Sequence, residues 1–158
     1  MSITLEGQQG SKEYYSQYFE EKNYRISYFE IKPSVTYQPF TGQQLKVFYN
    51  LRRNENQAEN VQKSEIQTFG SEYTLRNTER GSLSLNLNYY SVNSDEDLNG
   101  SILYEMLQGL QPGKNFTWGA GVQRRIGNYL RLDFSYSGRK TGDEKTIHVA
   151  SLQLRAVF

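Results

Sequence analysis

The residues that most often perform chemistry in proteins are few in this chain. His148 is the only histidine, and cysteine is absent. A Ser-His-Asp hydrolase needs a histidine that an acid orients and that contacts a nucleophile. No G-x-S-x-G turn is present to supply that nucleophile, and Asp133 is separated from His148 by a polar loop. One histidine without cysteine also disfavours a transition-metal site. We therefore predict that the chain is not an enzyme and has no metal site or cofactor.

Two short segments resemble ligand-binding loops in composition but not in spacing. DEDLNG (Asp95–Gly100) lacks the alternating acids and the closing glutamate of a calcium loop, which predicts a solvated loop. LQGLQPGK (Leu107–Lys114) lacks the G-x-x-x-x-G-K-[ST] spacing of a phosphate-binding loop. It predicts a bend or bulge in the chain.

Charged side chains at alternating positions are the remaining candidates. Ten of them are predicted to share one face of a sheet: Glu30, Lys32, Lys46, Arg52, Glu72, Arg76, Arg125, Arg131, Asp133 and Arg155. Seven bases face three acids in this set, an excess of four positive charges. What such a set can do depends on the strands that position it.

Strict alternation of apolar and polar residues dominates the chain and predicts strands with two different faces. The alternating stretches are 29–38, 44–53, 68–76, 83–90, 116–122, 130–136 and 150–158. A short first strand at Ser2–Gly7 brings the total to eight, and no long window has helical spacing. The pattern predicts an all-β chain, with residues 1–158 forming a single domain or a piece of a longer chain.

The connections between these strands are of two kinds. Tight turns are predicted at Pro39–Gly42, Thr78–Gly81 and Ile126–Asn128, and longer polar loops at Gly10–Lys22, Asn54–Lys63, Asn93–Lys114 and Gly138–Lys145. In an antiparallel up-and-down order, every tight turn lies at one end of the sheet and every long loop at the other. Outer-membrane β-barrels show this asymmetry.

The register of the second hairpin follows from parity, because opposite residues of an antiparallel pair point to the same side. Pairing Tyr37 with Leu45 puts Glu30 opposite Arg52, where we expect an ion pair. Pro33 interrupts the same strand and has no N–H to donate. We expect Pro33 to lie beyond the first strand, as in a chain cut from a wider barrel.

Three features indicate that the apolar face meets lipid. The polar face is rich in Ser, Thr, Asn, Gln and Gly rather than Lys and Glu, and each apolar stripe covers about eight to ten residues, near the length of a tilted membrane strand. Aromatic residues lie near the ends of these stripes: Tyr37, Tyr49, Phe69, Tyr89, Trp118, Tyr129 and Tyr136. Amphipathic rings favour the headgroup level of a bilayer. The alternative is a soluble, lipocalin-like ligand-binding barrel with its apolar face inside.

Composition excludes several other classes. No run approaches the roughly 18 apolar residues of a membrane-spanning helix, and mean hydropathy is −0.77. The aromatic content of 14% argues against disorder. A formal charge of +1 and the lack of a basic stripe free of acids disfavour nucleic acid as a partner.

The C-terminal part of the chain carries a family resemblance. Leu152, Leu154, Ala156 and Phe158 lie on one face and resemble the signal by which barrel assembly machinery recognises outer-membrane proteins. The stretches YEMLQGLQPGKNFTW (Tyr104–Trp118), QRR (Gln123–Arg125) and GRKTGDEKTIH (Gly138–His148) resemble the C-terminal barrel region of Bacteroidetes-type outer-membrane β-barrel proteins. The resemblance implies a barrel whose last strand ends at Phe158, and it transfers no catalytic residue.

These patterns together predict an antiparallel up-and-down transmembrane β-barrel of about eight strands, or the C-terminal eight strands of a larger barrel. The expected location is the outer membrane of a Gram-negative bacterium, in a structural, binding or transport role. The expected partners are outer-membrane lipid, the assembly machinery and further strands of the same chain. The ten charges would fill a narrow lumen as an ion-pair network or line a wider, anion-favouring aqueous wall. Of these two, the sequence favours the structural network.

Overall fold

The computed structural model describes residues 1–18, 23–57, 61–77, 81–95, 100–127 and 129–156. They form one sheet of eight antiparallel strands, each paired with its neighbours in sequence. The strands are β1 (Ser2–Tyr14), β2 (Tyr24–Tyr37), β3 (Gln43–Asn56), β4 (Gln62–Asn77), β5 (Gly81–Ser94), β6 (Gly113–Ile126), β7 (Leu130–Thr141) and β8 (Ile147–Ala156). The predictions of an all-β chain and of eight antiparallel strands in up-and-down order are confirmed.

The strands reach further at one end of the sheet than the sequence predicted. At this loop end the connections are residues 15–23, 57–61, 95–112 and 142–146, and at the opposite turn end they are 38–42, 78–80 and 127–129. The predicted boundaries of the long loops were therefore wrong. Around Asn54 and Lys63 the residues on both faces of the strands are polar, so this part of the chain shows no alternation of apolar and polar residues. The ladder pairing with neighbouring strands nevertheless extends through it.

Pro33 lies inside the paired part of β2, and the expectation that it lies beyond the first strand is wrong. It is level with Leu5 of β1. The interruption falls on the other side, where the β2–β3 ladder has no pair at Lys32 or Pro33. Because proline cannot donate a ladder hydrogen bond, this is a local gap toward β3.

The ladder registers divide the side chains into two continuous faces. The polar face carries the even-numbered residues of β1 to β5 and the odd-numbered residues of β6 to β8, and the apolar face carries the others. Tyr37 lies opposite Leu45, and Glu30 opposite Arg52, as parity predicted. The register predicted for this hairpin is confirmed.

Burial is distributed unequally between these faces. Every buried residue of the described strands other than glycine lies on the polar face, including six polar ones: Ser34, Asn54, Asn56, Ser64, Thr68 and Asn115. The apolar face instead exposes large side chains, among them Phe69, Leu85, Leu87, Leu152 and Leu154. The side chains that crowd together are therefore those on the polar side of the sheet.

Glycines on three strands leave room for aromatic rings on the strand beside them. The directly opposed pairs are Gly10 with Tyr28, Gly70 with Phe48 and Gly138 with Trp118. A Cβ atom at Gly70 would collide with the Phe48 ring, which is 8% exposed. Glycine inside a strand also permits the bends that a curved sheet needs.

A short helix, α1 (Gly100–Leu107), packs on the polar face at the loop end, where the sequence predicted only a long loop. Its buried side chains pack in two clusters, Ile102 and Met106 with Ile26, and Leu107 with Ile66 and Val92. Eight residues are too few for periodicity to distinguish a helix from a loop. No helix in the described ranges has the length and apolar character needed to cross a membrane.

The bend predicted within Leu107–Lys114 is the C-terminal cap of α1. Gln108 and Gly109 have positive φ angles of 56° and 76°. The backbone N–H of Gly109 donates to the carbonyl oxygen of Tyr104 at 3.0 Å. A left-handed residue with this bond is a common way for a helix to end.

The sheet is not closed: within the described residues, β1 pairs only with β2, and β8 only with β7. Every residue of β8 is exposed. An unpaired edge presents a row of free N–H and C=O groups, which native proteins normally cover or pair. Both outer strands therefore retain hydrogen-bonding groups that another strand can use.

Candidate functional site on the polar face

All ten charged residues selected from the sequence lie on the polar face: Glu30, Lys32, Lys46, Arg52, Glu72, Arg76, Arg125, Arg131, Asp133 and Arg155. The structure does not bring them together in one cluster. They form an ion pair near the loop end, a loose group in the middle of the face and a cluster at the turn end.

Glu30 and Arg52 form the expected ion pair near the loop end. The Nη1 atom of Arg52 lies 3.0 Å from Oε2 of Glu30, and the two side chains are 11% and 20% exposed, respectively. Asn50 donates to the other carboxylate oxygen at 2.8 Å. The guanidinium carbon of Arg52 lies 4.1 Å from the centre of the Tyr28 ring, within the range of a cation–π contact. The charge of Arg52 is thus both neutralised and covered.

Hydrogen bonds connect this ion pair to α1. The Nε of Arg52 donates to Oδ1 of Asn54 at 2.9 Å. The amide nitrogen of Asn54 is 2.8 Å from the carbonyl oxygen of Met106 and 3.1 Å from the hydroxyl of Ser64. Asn54 is 3% exposed, so these bonds satisfy a buried amide and hold the helix against the sheet.

The middle of the polar face holds lysines around one aromatic ring. The ammonium nitrogens of Lys32 and Lys46 lie 4.4 Å and 6.0 Å from the centre of the Phe48 ring. Lys46 is directly opposite Glu72 in the ladder. In the part of the chain that the structure describes, no ion pair joins these two side chains.

Three arginines lie side by side at the turn end. Arg131 is opposite Arg125 on one side and opposite Arg155 on the other; we refer to these three as the arginine row. Asp133 accompanies them, with carboxylate oxygens 3.6 Å from Nε of Arg131 and 3.8 Å from Nε of Arg155. One carboxylate thus serves two guanidinium groups at long range.

Two members of the arginine row, Arg125 and Arg131, border an open cavity of about 980 Å³. Arg76, Arg125, Arg131 and Asp133 line the cavity, together with Gln123 and Gln153. Gln123 accepts a hydrogen bond from Arg131, and Gln153 accepts one from Arg155, each at 2.9 Å. The turn end thus combines space, water access and an excess of positive charge.

Sequence reasoning missed three further charges on the polar face. Glu6 lies opposite Lys32, Lys12 is 3.5 Å from Glu105 of α1, and Arg139 lies on β7. Parity would have placed Lys12 and Arg139 on this face if the full lengths of β1 and β7 had been known.

An aromatic row crosses the apolar face. Tyr49, Phe69, Tyr89 and Phe116 are directly opposite one another on β3, β4, β5 and β6. Toward the loop end the same face becomes charged, with Arg53 paired to Glu65 at 2.8 Å and Arg25 to Glu13 at 2.9 Å. The aromatic row therefore separates an apolar band from a hydrophilic extension.

His148 lies on the apolar face, among aromatic side chains. Its Nδ1 is 2.8 Å from the Tyr136 hydroxyl, which accepts a hydrogen bond from Nε1 of Trp118 at 3.3 Å. The acid considered with it, Asp133, is on the opposite face. The structure therefore does not bring His148 and Asp133 together.

The C-terminal signal residues lie on the exposed edge strand. Leu152, Leu154 and Ala156 share the apolar face, and the first two are 68% and 60% exposed. Phe158 lies outside the described residues.

The calcium-like run is only partly described. The Asp95 carboxylate accepts a hydrogen bond from the Lys63 backbone N–H at 2.8 Å, and residues 96–99 lie outside the described ranges. Where the structure does describe the chain, no three histidine or acidic side chains converge as metal ligands.

Comparison with known proteins gives no relative for this chain. No protein-family model, curated protein or solved structure matches it. The functional argument therefore depends on the geometry of the two faces.

Proposed function

We propose that the chain is the membrane-embedded part of an outer-membrane β-barrel protein, with a structural, binding or transport role rather than a catalytic one. The inverted burial of the sheet carries this proposal. Polar residues such as Asn54, Thr68 and Asn115 are buried, whereas leucines on the opposite face are exposed. A water-soluble sheet normally has the reverse arrangement, because exposing apolar area to water costs about 25 cal/mol per Å².

The aromatic row and the strand lengths support a lipid environment for the apolar face. Tyrosine and phenylalanine in direct register across four strands form a belt of the kind found at membrane interfaces. The strands are 10 to 16 residues long, enough for the roughly 9–11 residues of a tilted membrane strand. Charged residues such as Arg53 and Glu65 lie beyond the belt, where the strands would leave the bilayer.

Closure through further strands of the same longer chain is favoured over direct pairing of β1 with β8. An eight-stranded barrel has an interior only wide enough for side chains. Here a helix, about 10–12 Å wide with its side chains, packs on the polar face, which also borders the cavity at the turn end. The chain would then supply the C-terminal eight strands of a larger barrel.

The proposed partners and location follow from the same arrangement. The apolar face would contact outer-membrane lipid. The edge residues Leu152, Leu154 and Ala156 would be recognised by the barrel assembly machinery of a Gram-negative bacterium.

Trp118 provides a direct test, because it is the only tryptophan in the chain and lies on the apolar face. We expect its fluorescence to be quenched when the protein is folded into vesicles whose phospholipids carry bromine on the acyl chains. The reason is that bromine quenches only on close approach, which a lipid-facing indole allows. The measurement compares emission in brominated and unbrominated vesicles.

The matched control moves the tryptophan to the polar face by combining Trp118→Phe with Ser135→Trp. Ser135 is exposed on the polar face of β7. We expect quenching to be lost in this variant. Equal quenching of both proteins, or a chain that stays soluble without detergent and shows no quenching, would contradict the membrane proposal.

Gel migration of folded protein, unheated against boiled, then tests closure. Closed barrels resist SDS because no strand edge is unpaired. A heat-dependent shift of this chain alone supports an eight-stranded barrel, and a shift only in a longer chain supports the larger one.

A further inference from the structure

The arginine row carries a repulsion that its position in the sheet makes unavoidable. Opposite residues of an antiparallel pair have Cβ atoms roughly 4.5–5.5 Å apart, and like charges at that spacing destabilise the pair. Arg131 has such a neighbour on both sides. Four ladder pairs further along, the same strands carry Gly121, Ser135 and Ser151, so the face can be polar there without charge.

The described counter-charge is too small to remove this repulsion. Asp133 is the one acid near the row in the described ranges, and its contacts of 3.6 Å and 3.8 Å exceed the 2.7–2.9 Å of a strong charge-assisted hydrogen bond. The buried Oδ1 of Asp133 accepts no hydrogen bond from the described residues. Arg76 and Arg125 have no ion-pair partner there either. Among the residues that the structure describes, four arginines therefore face one carboxylate.

The guanidinium groups are held in place, while most of their N–H donors have no acceptor among the described residues. Gln123 and Gln153 each accept one N–H, from Arg131 and Arg155 respectively. Each guanidinium has five N–H donors in a planar fork, a geometry that matches the oxygens of phosphate. The adjoining cavity of about 980 Å³ is within the usual size of small-molecule sites.

We propose that Arg76 and the arginine row form a binding site for a soluble, multiply charged anion of the phosphate class, such as pyrophosphate or a phosphomonoester. An anion with about three negative charges would balance the excess and occupy the donors that Asp133 leaves free. The Asp133 carboxylate, 3.6 Å from Arg131 and 3.8 Å from Arg155, would compete with such an anion for these two guanidinium groups. The inference rests on the proposed function in one respect, that the polar face is wetted rather than lipid-covered.

The test is calorimetric titration of inorganic pyrophosphate into the protein folded in an uncharged detergent. We expect saturable binding by the parent chain, and a loss of affinity of about tenfold or more for Arg131→Gln, since a hydrogen bond to a charged group contributes roughly 1.5–3 kcal/mol. Arg139→Gln is the matched control, because Arg139 lies on the same strand and face but near the loop end. Its affinity should equal that of the parent.

Asp133→Asn separates an anion site from a merely structural cluster. Removing the carboxylate should tighten pyrophosphate binding several-fold, because the anion no longer competes with Asp133 for Arg131 and Arg155. Unchanged or weaker binding by Asp133→Asn, or equal binding by parent and Arg131→Gln, would overturn the proposal.

A second titration, with micelles containing a small fraction of anionic phospholipid, distinguishes the source of the phosphate. Binding of lipid headgroups without binding of free pyrophosphate would overturn the assignment to a soluble anion. Absence of pyrophosphate binding in a protein whose Trp118 is quenched by brominated lipid would refute the anion site alone. Binding in a protein that is soluble and unquenched would retain the site and refute the membrane proposal.

Discussion

The two ends of the polar face carry similar residue types but treat charge in opposite ways. Near the loop end, Glu30 and Arg52 lie 3.0 Å apart, largely buried, and connect through hydrogen bonds to α1. At the turn end, Arg131 and Arg155 are more exposed and share the single carboxylate of Asp133 near an open cavity. The first arrangement contributes to stability, whereas the second places like charges side by side with their donors exposed to water, which lowers stability.

Removing the contact between α1 and the sheet should lower the free energy of unfolding more than any other substitution considered, because this contact buries apolar side chains at the loop end. Leu107→Ala deletes a fully buried side chain between Ile66 and Val92. We expect the free energy of unfolding to fall by about 2–5 kcal/mol. The measurement is a urea titration followed by tryptophan fluorescence.

Tyr104→Ala on the same helix is the control for this substitution. Tyr104 is 65% exposed, so its truncation should cost much less than that of Leu107. Equal losses for the two variants would show that α1 does not pack on the sheet as described.

Double-mutant cycles should separate the ion pairs of the two ends. Glu30→Gln and Arg52→Gln should each lower the free energy of unfolding by about 1–3 kcal/mol, less than a fully buried pair because both side chains keep some exposure. Their coupling energy should be clearly favourable. The same cycle with Asp133→Asn and Arg155→Gln should give a coupling below about 1 kcal/mol.

The two coupling energies should differ because the second ion pair is longer and more exposed to water than the first. Arg155 is 60% exposed and lies 3.8 Å from Asp133, so water screens much of the attraction. Equal couplings in the two cycles would remove the distinction between the ends.

The smallest effect is expected in the arginine row itself. Arg125→Gln removes a like charge opposite Arg131 and should raise the free energy of unfolding by a few tenths to about 1 kcal/mol at low ionic strength. The gain should disappear at high salt, because counterions screen exposed charges. The measurement is the free energy of unfolding at two salt concentrations. Destabilisation by Arg125→Gln would contradict a net repulsion within the arginine row.

Much of the fold was predictable from local pattern. Alternation with period two identified seven strands, a short first strand at Ser2–Gly7 completed the eight, and parity across a short connection placed Glu30 opposite Arg52. These inferences succeeded because side-chain direction in a strand depends on position alone. The strand ends and α1 were missed because polar segments lack alternation and eight residues are too short for a helical period.

The candidate site was predictable only in part. All ten selected charges lie on the polar face, but the sequence described them as one set. Near the loop end a carboxylate and a helix neutralise and cover Arg52, and at the turn end Asp133 is shared. Which residues meet depends on contacts between strands that are distant in the sequence, such as the contact of Asn54 with Met106.

The alternating pattern is enough to predict that this chain forms two-faced antiparallel strands, and which residues lie on each face. A strand reverses its side-chain direction at every residue, so that information is local. The pattern does not predict that Arg155 joins Arg125 and Arg131 in one row, or that α1 covers the opposite end; both are visible only in the folded chain. Both outcomes depend on the registers of several ladders and on packing across the sheet, which a one-dimensional pattern does not encode.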